Sequence, residues 1–116
     1  MINDVLTSLQ EEGIRCQRSF PVGKMPYLTG PVVAVNLAKT QVDLTTLAVH
    51  IYAPLRTGGI ACEDMAIRVV RILDDLRGDC QVQECQFDGD MGLFHMTIFS
   101  TFLYHLARDQ ADTVEA

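Results

Sequence analysis

No apolar run in the sequence comes near the ~20 residues that a membrane-spanning helix requires, which argues against a helical anchor. The opening residues, MINDVLTSLQEEG, carry acids where a secretory leader carries bases, and they lack its apolar stretch. The expectation is a protein made and kept in the cytosol, unless an assembly later carries it out of the cell. Basic residues are scarce: nine lysines and arginines face fifteen aspartates and glutamates, for a formal net charge of −6. The bases are scattered rather than gathered into a stripe, so the phosphate-neutralising surface on which nucleic-acid affinity depends is missing. An acidic surface can still line a channel through which DNA slides without sticking.

Tryptophan is absent and aromatic residues amount to 7%. The four cysteines, Cys16, Cys62, Cys80 and Cys85, form no CxxC pair, and the Cys80–Cys85 spacing has no histidine at zinc-finger distance. Without an export signal disulfides are not expected, and the four read as small buried apolar side chains. What remains is 48% hydrophobic and 21% charged, an ordinary globular balance. At 116 residues there is room for one domain. A chain of this size buries roughly two-thirds of its unfolded surface, enough to fold without a disulfide or a metal.

The periodicities predict the order α-β-β-β-α-β-β. Ile2, Val5, Leu6 and Leu9 share one face of a short helix that Asn3 or Asp4 can cap and Gly13 ends. Residues 14–20 alternate as a half-buried strand, with Arg15 and Gln17 facing away from Ile14, Cys16 and Phe20. Pro21 to Pro31 holds three prolines and two glycines around Lys24, Met25, Tyr27 and Leu28, a long loop of the kind that contacts a partner. Strands follow at 32–37 and 44–53, the second rich in β-branched residues. The clearest helix covers about 60–77, with a stripe of Cys62, Met65, Ala66, Val69, Ile72, Leu73 and Leu76. Asp64–Arg68 and Arg71–Asp75 stand at i,i+4 on its outer side, and Gly78 stops it.

A polar strand at 79–87, a turn at 88–92 and a long strand at about 93–105 complete the pattern. The first three strands suit an antiparallel meander and the last two a hairpin. The whole is a single α+β domain over 1–107, a two-layer arrangement with a mostly antiparallel or mixed sheet of 4–5 strands. Residues 108–116 form an acidic tail too poor in apolar groups to pack, expected to be mobile. One main helix covers one sheet face and leaves all or part of the other for a second chain.

Candidate chemistry is sparse. Asp88 and Asp90 around Gly89 have the form of a cation-holding DxD, but the same residues make a hairpin turn. His50 and His95 meet if their strands neighbour one another; otherwise they are surface histidines. Cys62 lies near a helix N-terminus, favourable to a thiolate, yet belongs to the apolar stripe. Thr57-Gly-Gly59 offers backbone N–H groups to an anion, but the GK[ST] of a P-loop is missing. These residues predict neither an enzyme active site nor a cofactor or metal. A small enzyme or ligand-binding domain would need His50 and His95 to converge with Cys62 or Cys85 in one pocket.

The stretch VHIYAPLRTGGIACED (49–64), the long helix it leads into, the strand ECQFD (84–88) and the closing hairpin together resemble small proteins of bacteriophage tails. Over residues 44–103 the plan resembles the tail-terminator, or tail-completion, family of long-tailed phages and related particles. The resemblance implies a homo-oligomeric, usually hexameric, ring that caps the tail tube, stops its polymerisation and docks to the head connector. It implies a virion location, tube and head–tail connector proteins as partners, and a lumen that passes DNA without holding it. A head–tail connector or other neck protein is the neighbouring reading. In such a ring Lys24, Met25, Tyr27 and Leu28 suit a docking loop. Gln81 and Gln83 suit a protected sheet edge, with Asp88 and Asp90 at the adjoining turn.

Overall fold

The computed structural model describes residues 1–18 and 29–103. Its centre is a pair of eleven-residue strands, β3 (Leu44–Pro54) and β6 (Leu93–Leu103). They run antiparallel with continuous register from Leu44 opposite Leu103 to Pro54 opposite Leu93. Beside β3 lies β2 (Val32–Thr40), antiparallel and joined to it by a short turn, with a bulge between Leu37 and Lys39. Beyond it β1 (Cys16–Arg18) pairs in parallel with β2. The other side of β6 is taken by two short strands in succession, β4 (Asp79–Val82) and β5 (Gln86–Asp88). Among the described residues the fold is α+β with a six-stranded mixed sheet, where the sequence pattern predicts 4–5 strands.

Two expectations are corrected here. The first three strands do not form an antiparallel meander, because β1 reaches the sheet parallel to β2. The polar strand of 79–87 is two strands. At its break the Cys85 side chain turns inward to the carbonyl of Gly59, 3.8 Å away, and packs on the core. A side chain drawn towards the helix pulls its backbone out of the ladder on β6, which resumes at Gln86.

Both helices lie on one face. Helix α2 (Gly58–Asp75) follows a 3-10 turn at Leu55–Thr57 and buries Cys62, Met65, Ala66, Val69 and Leu73. These meet Val33 and Val35 of β2, Leu47, Val49, Ile51 and Ala53 of β3, and Met96, Ile98 and Phe102 of β6. The alternation along the strands puts these residues on one face, as a two-residue period requires. Helix α1 (Ile2–Glu11) adds Val5 and Leu9 to the same core. Full burial of each such aliphatic side chain contributes about 1.5–3 kcal/mol before entropy is counted.

The helix ends show where local signals held and where packing replaced them. Helix α1 closes with Gly13 at φ +75, its N–H donating to Gln10 while that of Ile14 donates to Leu9. The apolar contact that accompanies such a cap is supplied by Ile14 and Leu9, both in the core. Its N-cap is Met1, with no side-chain hydrogen bond, so Asn3 and Asp4 lie inside the first turn rather than capping it. Helix α2 closes with the same bonds, Arg77 to Asp74 and Gly78 to Leu73, but the left-handed residue is Arg77, at φ 67. Gly78 is required for space: a Cβ there would collide with Ser100 Oγ and come within 2.7 Å of Phe102 Cζ. Neither i,i+4 ion pair of α2 forms. Arg68 instead donates to the carbonyl of Glu12 at the end of α1, 2.9 Å away, tying the two helices together.

Two neighbouring substitutions therefore have opposite signs. Gly78→Ala is expected to destabilise by about 1–3 kcal/mol through overpacking. Arg77→Gly is expected to stabilise by about 1 kcal/mol by relieving the left-handed backbone. Urea unfolding of the two variants against the parent checks both, and equal signs would refute the assignment.

Candidate functional site

The pairing of β3 with β6 sets Ala48, His50 and Tyr52 beside Phe99, Thr97 and His95 on the face away from the helices. The histidines stand diagonally, and their rings meet: His50 Nδ1 lies 3.1 Å from His95 Nε2. The Thr97 hydroxyl lies 3.2 Å from each of these nitrogens and completes a triangle. Tyr52 stacks on His95, with centroids 4.7 Å apart and planes 10° from parallel. Along the same face Thr46 and Thr101 share a hydrogen bond of 3.0 Å. This face is not bare, since Val32, Ala34, Tyr52 and Leu93 form a small buried cluster there.

A neutral imidazole pair satisfies this triangle with one ring N–H and one lone pair, the hydroxyl rotating to suit. Burial pushes the His50 pKa down, and the neighbouring His95 charge pushes it further. Burial also lowers His95, opposed by the negative charge of Asp88. Tyr52 is raised, first by burial and then by Asp88, so its phenol keeps its proton. The lowered values favour the neutral form of both imidazoles. Among the described residues no three of His, Cys, Asp or Glu gather closely enough to hold a metal ion.

The thiols lie on the opposite side of the sheet. Cys62 is fully buried beneath α2, its Sγ donating to the carbonyls of Ile51 at 3.7 Å and Phe94 at 3.5 Å. Its pKa is pushed up to about 12, by burial first and then by Cys85, so the favourable helix end produces no thiolate. His50 and His95 are thus brought together, but neither Cys62 nor Cys85 joins them. The Thr57-Gly-Gly59 segment serves local packing. Thr57 Oγ1 donates to Pro54, Gly58 sits at φ 74, and a Cβ on Gly59 would press on Cys85 Sγ at 3.3 Å.

Gln81 and Gln83 are exposed along the β4 edge, with the Gln83 N–H extending the ladder to Thr97. Asp88 Oδ1 accepts the N–H groups of Asp90 and Met91 at 3.0 and 3.1 Å, which spends this carboxylate on closing the β5–β6 turn. Asp90 is exposed beside it. Lys24, Met25, Tyr27 and Leu28, and the tail 108–116, lie outside the described residues.

Two apolar surfaces emerge that the helical stripe and strand alternation did not single out. At the β2–β3 hairpin end Leu37, Val42, Leu44 and Leu103 are exposed, Val42 by 78%. Along α2 and the β4–β5 edge Ile60, Ile67, Val82 and Phe87 are exposed. An open groove of about 420 Å³ runs there between Ile67, Val70, Val82 and Met96, with Glu63 at its rim. The available signal was Ile60 and Ile67, apolar residues seven apart that fall outside the buried stripe. Thr97 and Tyr52 were equally legible once β3 was taken to pair with β6, through the two-residue period alone.

With this geometry established, comparison with known proteins returns no relative: no protein-family model, curated protein or solved structure matches the chain.

The lowered histidines make stability pH-dependent. The unfolded histidines titrate near 6.5 and the folded ones lower, so the unfolded chain takes up protons first as the pH falls. Stability is expected to be fully present above about pH 6.5 and to decline below it, through the lowered folded-state values. Urea midpoints between about pH 7 and 5 measure this, and His50→Gln/His95→Gln should flatten the profile. An unchanged slope in the double variant would assign the loss to other groups.

Proposed function

We propose that the chain is a structural subunit of a phage tail or tail-like particle, assembling with copies of itself into a ring that caps the tail tube. The observation that carries this reading is the pair of exposed apolar surfaces on different parts of the same small domain. A surface of this kind marks a protein contact, and two dissimilar ones on one chain fit head-to-tail association, which closes into a ring when the rotation permits. The resemblance over residues 44–103 supplies the particular ring. As a tail terminator it stops tube polymerisation and offers its other side to the head connector. Other features support the same reading. The acidic balance suits a lumen that passes DNA without retaining it. The exposed Gln81 and Gln83 guard the β4 edge, and Asp88 and Asp90 hold the adjoining turn against β6.

Quantitative mass spectrometry of purified particles from the producing strain tests the role. Peptides of this chain at a fixed low ratio to tube protein, equal to one ring per tube, are expected. Their absence from clean, complete particles would refute the terminator role and return weight to a small enzyme or ligand-binding domain. Val42→Asp and Ile67→Asp test the carrying observation. Each is expected to abolish the ring by light scattering while the monomer's melting temperature stays within a few degrees of the parent, because both side chains are already exposed.

A further inference from the structure

Two of the four cysteines occupy one place in the fold although 22 residues, 63–84, separate them in the sequence. Cys62 stands in the first turns of α2 and Cys85 in the segment between β4 and β5, close enough that Cys85 helps to raise the Cys62 pKa. Independent contacts fix the same neighbourhood. Cys85 Sγ lies 3.8 Å from the carbonyl of Gly59, one helical turn before Cys62, and Cys62 Sγ lies 3.5 Å from the carbonyl of Phe94. The Cβ position of Gly59 is 3.3 Å from Cys85 Sγ and 3.4 Å from Phe94 Cδ1, so helix, edge segment and β6 close on one another at this point. Both thiols pack on the main core, Cys62 fully buried and Cys85 partly exposed.

We propose that Cys62 and Cys85 form a reversible disulfide when the folded protein meets a low-molecular-weight disulfide, with Cys85 as the entering thiol and Cys62 as the resolving one. The difference in exposure sets the order, because Cys85 is the sulfur that solvent reaches. Its thiolate attacks one sulfur of the small disulfide, the S–S bond breaks and one small thiolate leaves. The mixed disulfide then stands against Cys62, which loses its proton to solvent and attacks the Cys85 sulfur, expelling the second small thiolate. Two protein thiols become one disulfide, and the small disulfide is reduced to two thiols. The high pKa of Cys62 makes the second step the slower one and makes its rate rise with pH.

The bond would cross-link α2 to the place where the edge strand leaves the sheet, beside the groove of Ile67 and Val82. In the reducing cytosol the pair stays open, and in an oxidising medium the edge is pinned to the helix. This inference stands apart from the assembly role, since it needs only the monomer.

The test exposes the folded full-length chain to oxidised glutathione at about pH 8.5, blocks remaining thiols by alkylation and maps a non-reduced digest. The expected product carries one bridge between the peptides of Cys62 and Cys85, with Cys16 and Cys80 alkylated. Its melting temperature should rise by about 5–15 °C over the reduced protein and fall back on reduction. Cys85→Ser should abolish the bridge, and Cys16→Ser/Cys80→Ser should retain it. A lasting glutathione adduct on Cys85, a bridge to Cys16 or Cys80, thiols that all stay free, or a cross-link that lowers the melting temperature would each overturn the proposal.

Discussion

The antiparallel pairing of β3 with β6 is the constraint on which the rest of this structure depends. Its eleven matched positions are the longest ladder in the fold, and every other element is placed by reference to it. A one-residue slip of β6 against β3 would move Met96 and Ile98 to the helix-free face and bring His95 towards the core. The burial of α2 on one face penalises such a slip across several side chains at once. The register is therefore held by the core, and the polar cluster on the other face inherits its geometry from it.

The two faces consequently have different chemistry. Beneath α2 the packing is aliphatic and close enough that Gly59 and Gly78 leave no room for a Cβ without neighbours giving way. On the other face imidazoles and threonine hydroxyls satisfy one another's hydrogen bonds at half-buried positions, and the buried Tyr52 ring stacks on His95. The histidines and the thiols are kept apart by the thickness of the sheet, which separates any acid–base function from any sulfur chemistry.

The edges carry the exposed apolar features on which the assembly reading rests. One side of β6 is covered by two short strands with an inward-turned cysteine between them, so the sheet is continuous but its border is broken. The hairpin of β2 and β3 extends apolar side chains beyond the reach of either helix. Exposed apolar surface of this sort is costly in water unless something covers it, which is the physical content of the assembly reading.

By itself the sequence determined the fold class, the helix–strand order as far as the edge strand, the faces of β3 and β6, and the stripe of α2, because these follow from periodicities of 3.6 and 2 that act within one segment. It also determined the turn at Asp88, where a side chain bonds its own neighbouring backbone. Only the tertiary structure decided that β1 runs parallel to β2, that the edge strand divides at Cys85, and that Arg68 caps α1 rather than pairing with Asp64. It alone decided that Arg77 rather than Gly78 takes the left-handed turn, and that Gly78 is needed for space against Ser100 and Phe102, more than twenty positions away. Likewise, the meeting of His50 with His95 and of Cys62 with Cys85 depends on which strands are neighbours. No local propensity encodes that choice; it is made when the whole apolar face is buried at once.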